Sequence, residues 1–181
     1  MIIEEKTLDS RRIYEGAILN LRRDRVITRN GESYREIVEH NGGAAVVPIT
    51  ESGKIVMVRQ YRKAFERVIM EVPAGKIEKG DDPFETVKRE LKEETGYAAE
   101  KITFLTEMLP SVGYTEEAVF IYLAEGLTPG ETELDENESI EVVELDFEEA
   151  FTMVMKGEIK DAKSIIAILM AKQLRMEGEN R

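Results

Sequence analysis

The sequence has no cysteine, no tryptophan and only one histidine among its 181 residues. Without cysteine the chain cannot form disulfides, thiolate nucleophiles, or cysteine-ligated zinc and iron–sulfur sites. A single histidine also excludes a zinc site that is built mainly from imidazoles. Any metal chemistry of this chain must therefore use oxygen ligands.

Positive charge is scarce as well. The chain has 25 Lys and Arg against 37 Asp and Glu, which gives a formal net charge of −12 at pH 7. Sequence-independent binding to nucleic acid depends on Lys and Arg that release counterions from phosphates. Nucleic acid is therefore not expected as a partner, and a small anionic substrate would need a metal cation.

Long hydrophobic runs are also missing. No stretch of eighteen apolar residues occurs, and the N-terminal residues "MIIEEKTLDSRR" lack the pattern of a secretory signal. The sequence thus predicts neither a membrane segment nor export, and the cytoplasm is the expected location. Hydrophobic residues still make up 42% of the chain, which is enough for a real core.

The sequence predicts a chain of two parts. Residues 1–41 predict a small N-terminal antiparallel β unit with a type I′ turn at Asn30-Gly31. This unit is too small to bury a core alone, so we expect it to pack on the rest of the chain or on a second subunit. Residues 42–181 predict strands in the middle and helices between and after them, including two final helices over 147–158 and 161–178. This order favours an α/β/α sandwich around a mixed sheet.

One predicted helix carries unusual charge. The stretch 82–85, "DPFE", is typical of a helix start, and Gly96 is expected to end the helix. Helical spacing predicts that Phe84, Val87 and Leu91 form its buried stripe.

Glu90 and Glu94 lie at the margin of that stripe, four residues apart, where like charges repel each other. A divalent cation held by hard oxygen ligands, Mg²⁺ or Mn²⁺, would relieve this repulsion, and Glu93 can add another oxygen. The alternative is an ordinary solvated face on which Lys92 offsets the acids.

Residues 75–97, "GKIEKGDDPFETVKRELKEETGY", decide between these interpretations because they closely resemble the 23-residue signature of the Nudix hydrolases. The matching positions are Gly75, Arg89, Glu90, Leu91, Glu93, Glu94 and Gly96. Asp81 and Tyr97 depart from it, since the family usually has Glu and an aliphatic residue there.

The resemblance implies a Nudix domain over residues 42–181 that hydrolyses a nucleoside diphosphate linked to another group. It also implies that Glu90, Glu94 and the carbonyl of Ala74 ligate metal. Glu93 is expected to ligate or support the metal in catalysis, and Arg89 to orient the glutamates. Carboxylate-held metals supply the charge neutralisation and the activated water that attack on a diphosphate needs.

Four further stretches resemble the ADP-ribose pyrophosphatase branch of this family, namely "REIVEH", "VRQYR", "EVPAGKIE" and "LDENESIEV". In that branch a glutamate of the late acidic loop acts as general base, which implies Glu136 as the base and Glu138 as a metal or water contact. The exchange of these two roles is the open alternative. Taken alone, this loop would read as an acidic surface loop.

The same branch implies substrate contacts by Arg62, Glu71 and Arg35, the last reaching across from the partner subunit. As lone residues, the two arginines would read as surface or ion-pair groups. Val112 stands where the branch usually has a proline, which leaves the shape of that loop open.

The resemblance therefore implies a Mg²⁺-dependent hydrolase, with Mn²⁺ as the other suitable ion, that converts ADP-ribose to AMP and ribose 5-phosphate. We expect a homodimer that exchanges its N-terminal strands. Two alternatives stay open: a hydrolase of another nucleoside diphosphate sugar, such as GDP-mannose or ADP-glucose, and a non-catalytic module that binds a nucleotide.

Overall fold

The computed structural model describes residues 3–134, 136 and 138–179. Its contacts divide the chain into two compact units. The first comprises the residues up to Gly42 together with Leu109–Ala118, and the second comprises Gly43–Met108 and the residues from Val119 onward. None of the described helices has the length and apolar character to cross a membrane.

The N-terminal unit is an antiparallel sheet of three strands in the order β1-β2-β3: β1 (Lys6–Glu15), β2 (Asn20–Thr28) and β3 (Gly31–Glu39). The sequence predicts β2 and β3 but not β1. All ten residues of β1 are exposed, and its sequence "KTLDSRRIYE" lacks the alternation of apolar and polar residues that marks a half-buried strand.

The predicted hairpin between β2 and β3 exists, but its predicted turn type is wrong. Thr28 pairs with Gly31, so the turn residues are Arg29 and Asn30, and neither has a positive φ. A type I′ turn requires positive φ at both central residues. Positive φ falls instead on Gly31, at 107°, where the missing side chain removes the steric cost.

The described residues of the second unit form two sheets and three α helices. The strands are β4 (Gly43–Pro48), β5 (Lys54–Arg62), β6 (Arg67–Glu71), β7 (Ala74–Lys76), β8 (Ala98–Met108), β9 (Val119–Thr128) and β10 (Ile140–Asp146). One sheet is mixed, with the order β7-β4-β9-β8 and a parallel pair β4-β9, and the other, β10-β5-β6, is antiparallel. The helices are α1 (Pro83–Thr95), α2 (Phe147–Met155) and α3 (Ala162–Glu179), and a short 3₁₀ helix spans Lys63–Phe65.

The mixed sheet is covered on both faces. Successive side chains of a strand point to opposite faces, and β4 follows this rule: Val46 packs in a cluster with Leu91 of α1, whereas Val47 packs in another with Ile168 of α3. All four side chains are buried. The two clusters confirm the predicted α/β/α sandwich.

One stretch that the sequence reads as a single strand, "VIMEVPAG", is divided between the two sheets. β6 ends at Glu71 in the antiparallel sheet, and β7 begins at Ala74 in the mixed sheet. Pro73 lies between them and has no N–H to donate to a ladder, while its carbonyl accepts a hydrogen bond from Val46 N–H at 2.9 Å. The chain thus crosses between the sheets at Val72-Pro73.

The predicted ends of α1 are confirmed. Asp82 is the N-cap, and its Oδ1 accepts the N–H of Phe84 at 2.8 Å. Gly96 ends the helix with φ 76°, and its N–H donates to the carbonyl of Lys92 at 2.8 Å. This conformation favours glycine because it has no Cβ.

The predicted buried stripe of α1 is correct at two of its three positions. Val87 and Leu91 are buried, but Phe84 keeps 38% of its surface exposed. It lies in the first turn and meets Tyr122 edge-on, with the ring centroids 6.2 Å apart. At the end of a helix, one side of a ring stays open to solvent.

Candidate active site

The glutamates of α1 lie where this helix packs against β4 and β7. The carboxyl group of Glu90 rests against the backbone of Gly75, the second residue of β7. A Cβ built on Gly75 would lie 1.9 Å from Cδ of Glu90, far inside van der Waals contact. The glycine therefore provides the space that the Glu90 carboxyl occupies.

Glu94 is buried, with only 4% of its surface exposed. Its Oε2 accepts a hydrogen bond from the backbone N–H of Ala74 at 3.0 Å. Burial raises the pKa of Glu94 to about 8, and the charges of Glu90 and Glu138 push it in the same direction, against the Ala74 hydrogen bond. Glu94 thus lies in a place that disfavours negative charge unless a cation is near.

Arg89 holds the other two glutamates of the signature, Glu90 and Glu93. Its guanidinium lies 2.7 Å from Glu90 Oε1 and donates to Glu93 Oε2 at 2.6 Å. Burial nevertheless raises the pKa of Glu90, and Arg89 only partly opposes this effect. Arg89 therefore orients two carboxylates but does not neutralise the carboxylate cluster formed by Glu90, Glu93 and Glu94.

The late acidic loop is tied to the end of α1. Lys92 pairs with Glu133 at 2.6 Å, and the Glu133 N–H donates to the carbonyl of Glu93 at 2.9 Å. A Cβ on Gly96 would lie 2.5 Å from the carbonyl oxygen of Gly130, so the two chain segments touch there. These contacts bring the loop to the glutamate helix.

Among the described acids of this loop, Glu138 has a charge that acts on Glu90 and Glu94. It raises the pKa of both Glu90 and Glu94, although its own side chain is exposed. Glu136 lies in an exposed turn. Residues 135 and 137 of the predicted stretch lie outside the described residues.

A second charged cluster adjoins the first along the chain and contains Arg62 and Glu71. Glu71 is 3% exposed and accepts two hydrogen bonds from Arg62, at 2.6 and 3.0 Å, and another from Lys163. Burial alone would raise the pKa of Glu71, but these hydrogen bonds outweigh it and lower the pKa. The Glu71 carboxylate is thus engaged in holding Arg62 and Lys163 in place.

This second cluster continues to residues that the sequence did not suggest. Asp161, just before α3, accepts hydrogen bonds from Lys163 Nζ at 3.0 Å and Ser164 Oγ at 2.5 Å. Ser164 Oγ in turn accepts the N–H of Val72 at 2.8 Å. The start of α3 therefore fixes the crossing segment that leads from Glu71 to Ala74.

We expect Ser164→Ala to reduce the free energy of unfolding by about 1–3 kcal/mol, because it leaves the buried N–H of Val72 without its partner. Urea unfolding would measure this. The matched control is Ser52→Ala at an exposed turn, where we expect a change of no more than about 0.5 kcal/mol. Equal effects of the two substitutions would contradict the proposed role of Ser164.

Comparison with known proteins agrees with this geometry. Residues 39–167 match the family described as "NUDIX domain". The chain belongs to the Nudix family. Residues 5–36 match a second family, described as "Nucleoside diphosphate sugar hydrolase N-terminal domain". The resemblance of the 75–97 signature is thus confirmed, and the protein is a Nudix hydrolase.

Similar Nudix proteins include an "ADP-ribose pyrophosphatase" of Bacillus subtilis, which is 47% identical over 92% of this chain and 91% of its own length. A "Methanol dehydrogenase activator" of Bacillus methanolicus is 44% identical over 92% of both chains. A "GDP-mannose pyrophosphatase" of Yersinia pestis is 33% identical over 77% of this chain and 75% of its own length. A crystal structure of "ADP compounds hydrolase" has the same fold, with a TM-score of 0.86 at 21% identity over 100% of this chain and 98% of that one.

Nudix hydrolases generally use divalent metal ions, and the donors found here suit such an ion. Glu90, Glu94 and Glu138 offer hard oxygen ligands, and their mutual repulsion leaves negative charge that a cation would offset. Among the described residues, no three His, Asp or Glu side chains already converge in a metal-holding arrangement. Arg89 holds Glu90 instead, and the Ala74 N–H holds Glu94.

Arg35 lies on β3 of the N-terminal unit, where its Nε donates to Glu5 at 2.8 Å. The structure therefore describes Arg35 in an exposed ion pair within its own unit. Its contact with substrate stays a prediction, as do the functional roles of the other predicted site residues.

Proposed function

We propose that this Nudix hydrolase cleaves the diphosphate of ADP-ribose and gives AMP and ribose 5-phosphate. The observation that carries the proposal is the pair of glutamates on α1, in a chain that is 47% identical to an ADP-ribose pyrophosphatase. Glu90 is partly buried beside Gly75, and Glu94 is buried and accepts the N–H of Ala74. The relative that acts on GDP-mannose is more distant, at 33% identity, so GDP-mannose is the weaker alternative. The predicted cytoplasmic location agrees with a soluble nucleotide-sugar substrate.

The reaction adds water to one phosphorus and breaks the bond between that phosphorus and the bridging oxygen. We propose Mg²⁺ as the metal, because every donor is an oxygen, and Mn²⁺ as the ion that could replace it. Bound there, the ion would neutralise the phosphate charge and activate water. The carbonyl of Ala74 and the carboxylates of Glu90, Glu93, Glu94 and Glu138 would hold it.

The chain's own contribution is to orient these groups. Arg89 fixes Glu90 and Glu93 through its two ion pairs. Ala74 N–H fixes Glu94, so that the carboxylate and the Ala74 carbonyl stay near each other. We propose that Arg62, held by Glu71, meets the diphosphate, since a guanidinium suits phosphate oxygens.

We propose that Glu136 is the general base, which accepts the proton of the attacking water. Glu138 is then a metal or water contact. Glu136→Gln should then lower kcat about 10²-fold with little change in the metal concentration needed for half activation. Glu138→Gln should raise that metal concentration instead, because Glu138 is the loop acid whose charge reaches Glu90 and Glu94. Metal titrations of the two variants measure this, and the opposite pattern would exchange the roles.

The function is tested by incubating the protein with Mg²⁺ and, separately, ADP-ribose, ADP-glucose, GDP-mannose, NADH or diadenosine polyphosphates, and by separating the products by chromatography. We expect rapid release of AMP from ADP-ribose. Preference for another sugar would assign the same residues to another substrate, and no cleavage of any compound would favour a nucleotide-binding module.

We also propose that residues 1–41 form a dimerisation unit and that residues 42–181 form the hydrolase domain. The apolar side chains of Leu8, Ile13 and Tyr14 are exposed on β1, which supports a partner surface there. Across this dimer, Arg35 would contact the partner's substrate. Light scattering should then give twice the 20.6 kDa chain mass, and a monomer would refute the dimer.

A second candidate function is activation of an alcohol dehydrogenase. It is favoured by the relative named methanol dehydrogenase activator, which is 44% identical and matches 92% of both chains. The test is to add the protein to a methanol dehydrogenase and measure alcohol oxidation. The same assay with Glu94→Gln shows whether activation requires the hydrolase site.

A further inference from the structure

A cleft of about 520 Å³ opens in the second unit, between the 3₁₀ helix Lys63–Phe65 and the residues that begin α3. Only two of its lining residues are acidic, and five are basic: Arg62, Lys63, Arg67, Lys160 and Lys163. The chain as a whole shows the reverse balance, with 37 acidic and 25 basic residues. The cleft is thus a basic surface on a strongly acidic protein.

The basic residues of the cleft divide into paired and unpaired groups. Arg62 and Lys163 are held by Glu71 at the base of the cleft, and Lys63 pairs with Glu66 at 2.6 Å. Arg67 and Lys160, by contrast, form no ion pair within the described part of the chain. Their charges therefore give the cleft its uncompensated positive potential.

The cleft adjoins the carboxylate cluster of the Nudix helix. Glu71, at the base of the cleft, begins the segment that reaches Ala74, whose N–H binds Glu94. The charges of Arg62 and Glu94 also act on each other's pKa, which places the guanidinium within electrostatic reach of the catalytic carboxylates. An anion in the cleft would thus lie beside the reaction site.

We propose that this cleft is where the diphosphate of the substrate first binds. Arg67 and Lys160 attract the diphosphate into the cleft, and Arg62 then binds it. This inference rests on the proposed hydrolysis of a nucleoside diphosphate sugar. A protein of charge −12 repels such a substrate at long range. A cleft lined by the opposite charge raises the local concentration of the substrate and its rate of association.

The test removes the two unpaired charges in the double variant Arg67→Gln/Lys160→Gln. We expect kcat/KM for ADP-ribose at low ionic strength to fall about tenfold. This fall should come from a higher KM, whereas kcat should stay unchanged. Because salt screens charges over about 10 Å at 0.1 M, wild-type kcat/KM should fall as salt is added, and the variant should respond less. A merely structural role would not change this salt dependence.

The matched control is Lys79→Gln/Lys156→Gln, which removes two exposed charges of the same unit that do not line the cleft. It should keep the wild-type kcat/KM and salt dependence. If the wild type hydrolyses ADP-ribose and the cleft variant behaves like this control, the inference is overturned.

Binding of inorganic pyrophosphate, measured by calorimetry without metal, separates this inference from the proposed function. We expect the wild type and the control to bind it and the cleft variant to bind it at least about tenfold more weakly. That result would support the cleft even if ADP-ribose were not hydrolysed. Equal binding by all three proteins, or no binding by the wild type, would overturn it.

Discussion

Replacing Glu94 by Gln should reduce kcat by at least about 10³-fold, since Glu94 is a proposed metal ligand and the loss of such a ligand removes several kcal/mol of transition-state stabilisation. The fold should stay intact for two reasons. The surroundings of Glu94 favour an uncharged group, as its pKa of about 8 indicates, and the Gln oxygen can still accept the Ala74 N–H. The measurements are steady-state turnover, thermal unfolding and binding of ADP-ribose.

Glu85→Gln is the control for this substitution, because Glu85 lies on the same helix but is exposed, and its ion pair is with Lys88 at 3.1 Å. It removes the same charge and should leave turnover within about twofold of the wild type. Activity that survives in Glu94→Gln would show that this glutamate is not a metal ligand. Loss of both activity and nucleotide binding would point instead to a damaged fold.

Local signals in the sequence are sufficient to predict the ends and the faces of the Nudix helix α1. Asp82 and Gly96 mark its ends through caps that depend only on neighbouring residues. The 3.6-residue period then places Glu90 and Glu94 on one face, beside the buried Leu91. The sequence also predicts the layers of the sandwich, since a strand between two helical layers must be apolar on both faces.

Contacts between distant parts of the chain were not predictable in this way. Ser164 binds Val72 and Lys163 binds Glu71 across 92 residues, and neither contact has a sequence pattern of its own. The sequence also does not predict the division of residues 68–75 between two sheets, because distant partner strands decide to which sheet a strand belongs. Phe84 was misassigned because periodicity does not tell where a helical layer ends.

These missed contacts matter for function because they hold the segment that the predicted metal ligands share. Ala74 is fixed from one side by Glu94 and, through Val72, from the other side by Ser164. The sequence motif thus predicts which groups meet the metal. The start of α3 specifies where the backbone of that segment lies.

Gly75→Ala should reduce kcat about 10³-fold, as much as removal of Glu90 itself, because it displaces a proposed metal ligand. The new Cβ would lie 1.9 Å from Cδ of Glu90, and the carboxyl can escape only by leaving its place beside β7. Gly75 has no positive φ, so the backbone accepts alanine without strain. We therefore expect a large loss of activity, a higher metal requirement and a small change in the unfolding temperature.

Gly113→Ala is the matched control, since a Cβ at Gly113 would meet no atom within 4 Å and its φ is not positive either. Both substitutions add one methyl group and restrict the unfolded chain equally, so their difference reports the contact with Glu90. Activity of Gly75→Ala close to that of Gly113→Ala would mean that Glu90 can move without cost and does not ligate the metal. A loss of activity that higher metal concentration partly restores would instead identify Gly75 as the residue that sets the position of this ligand.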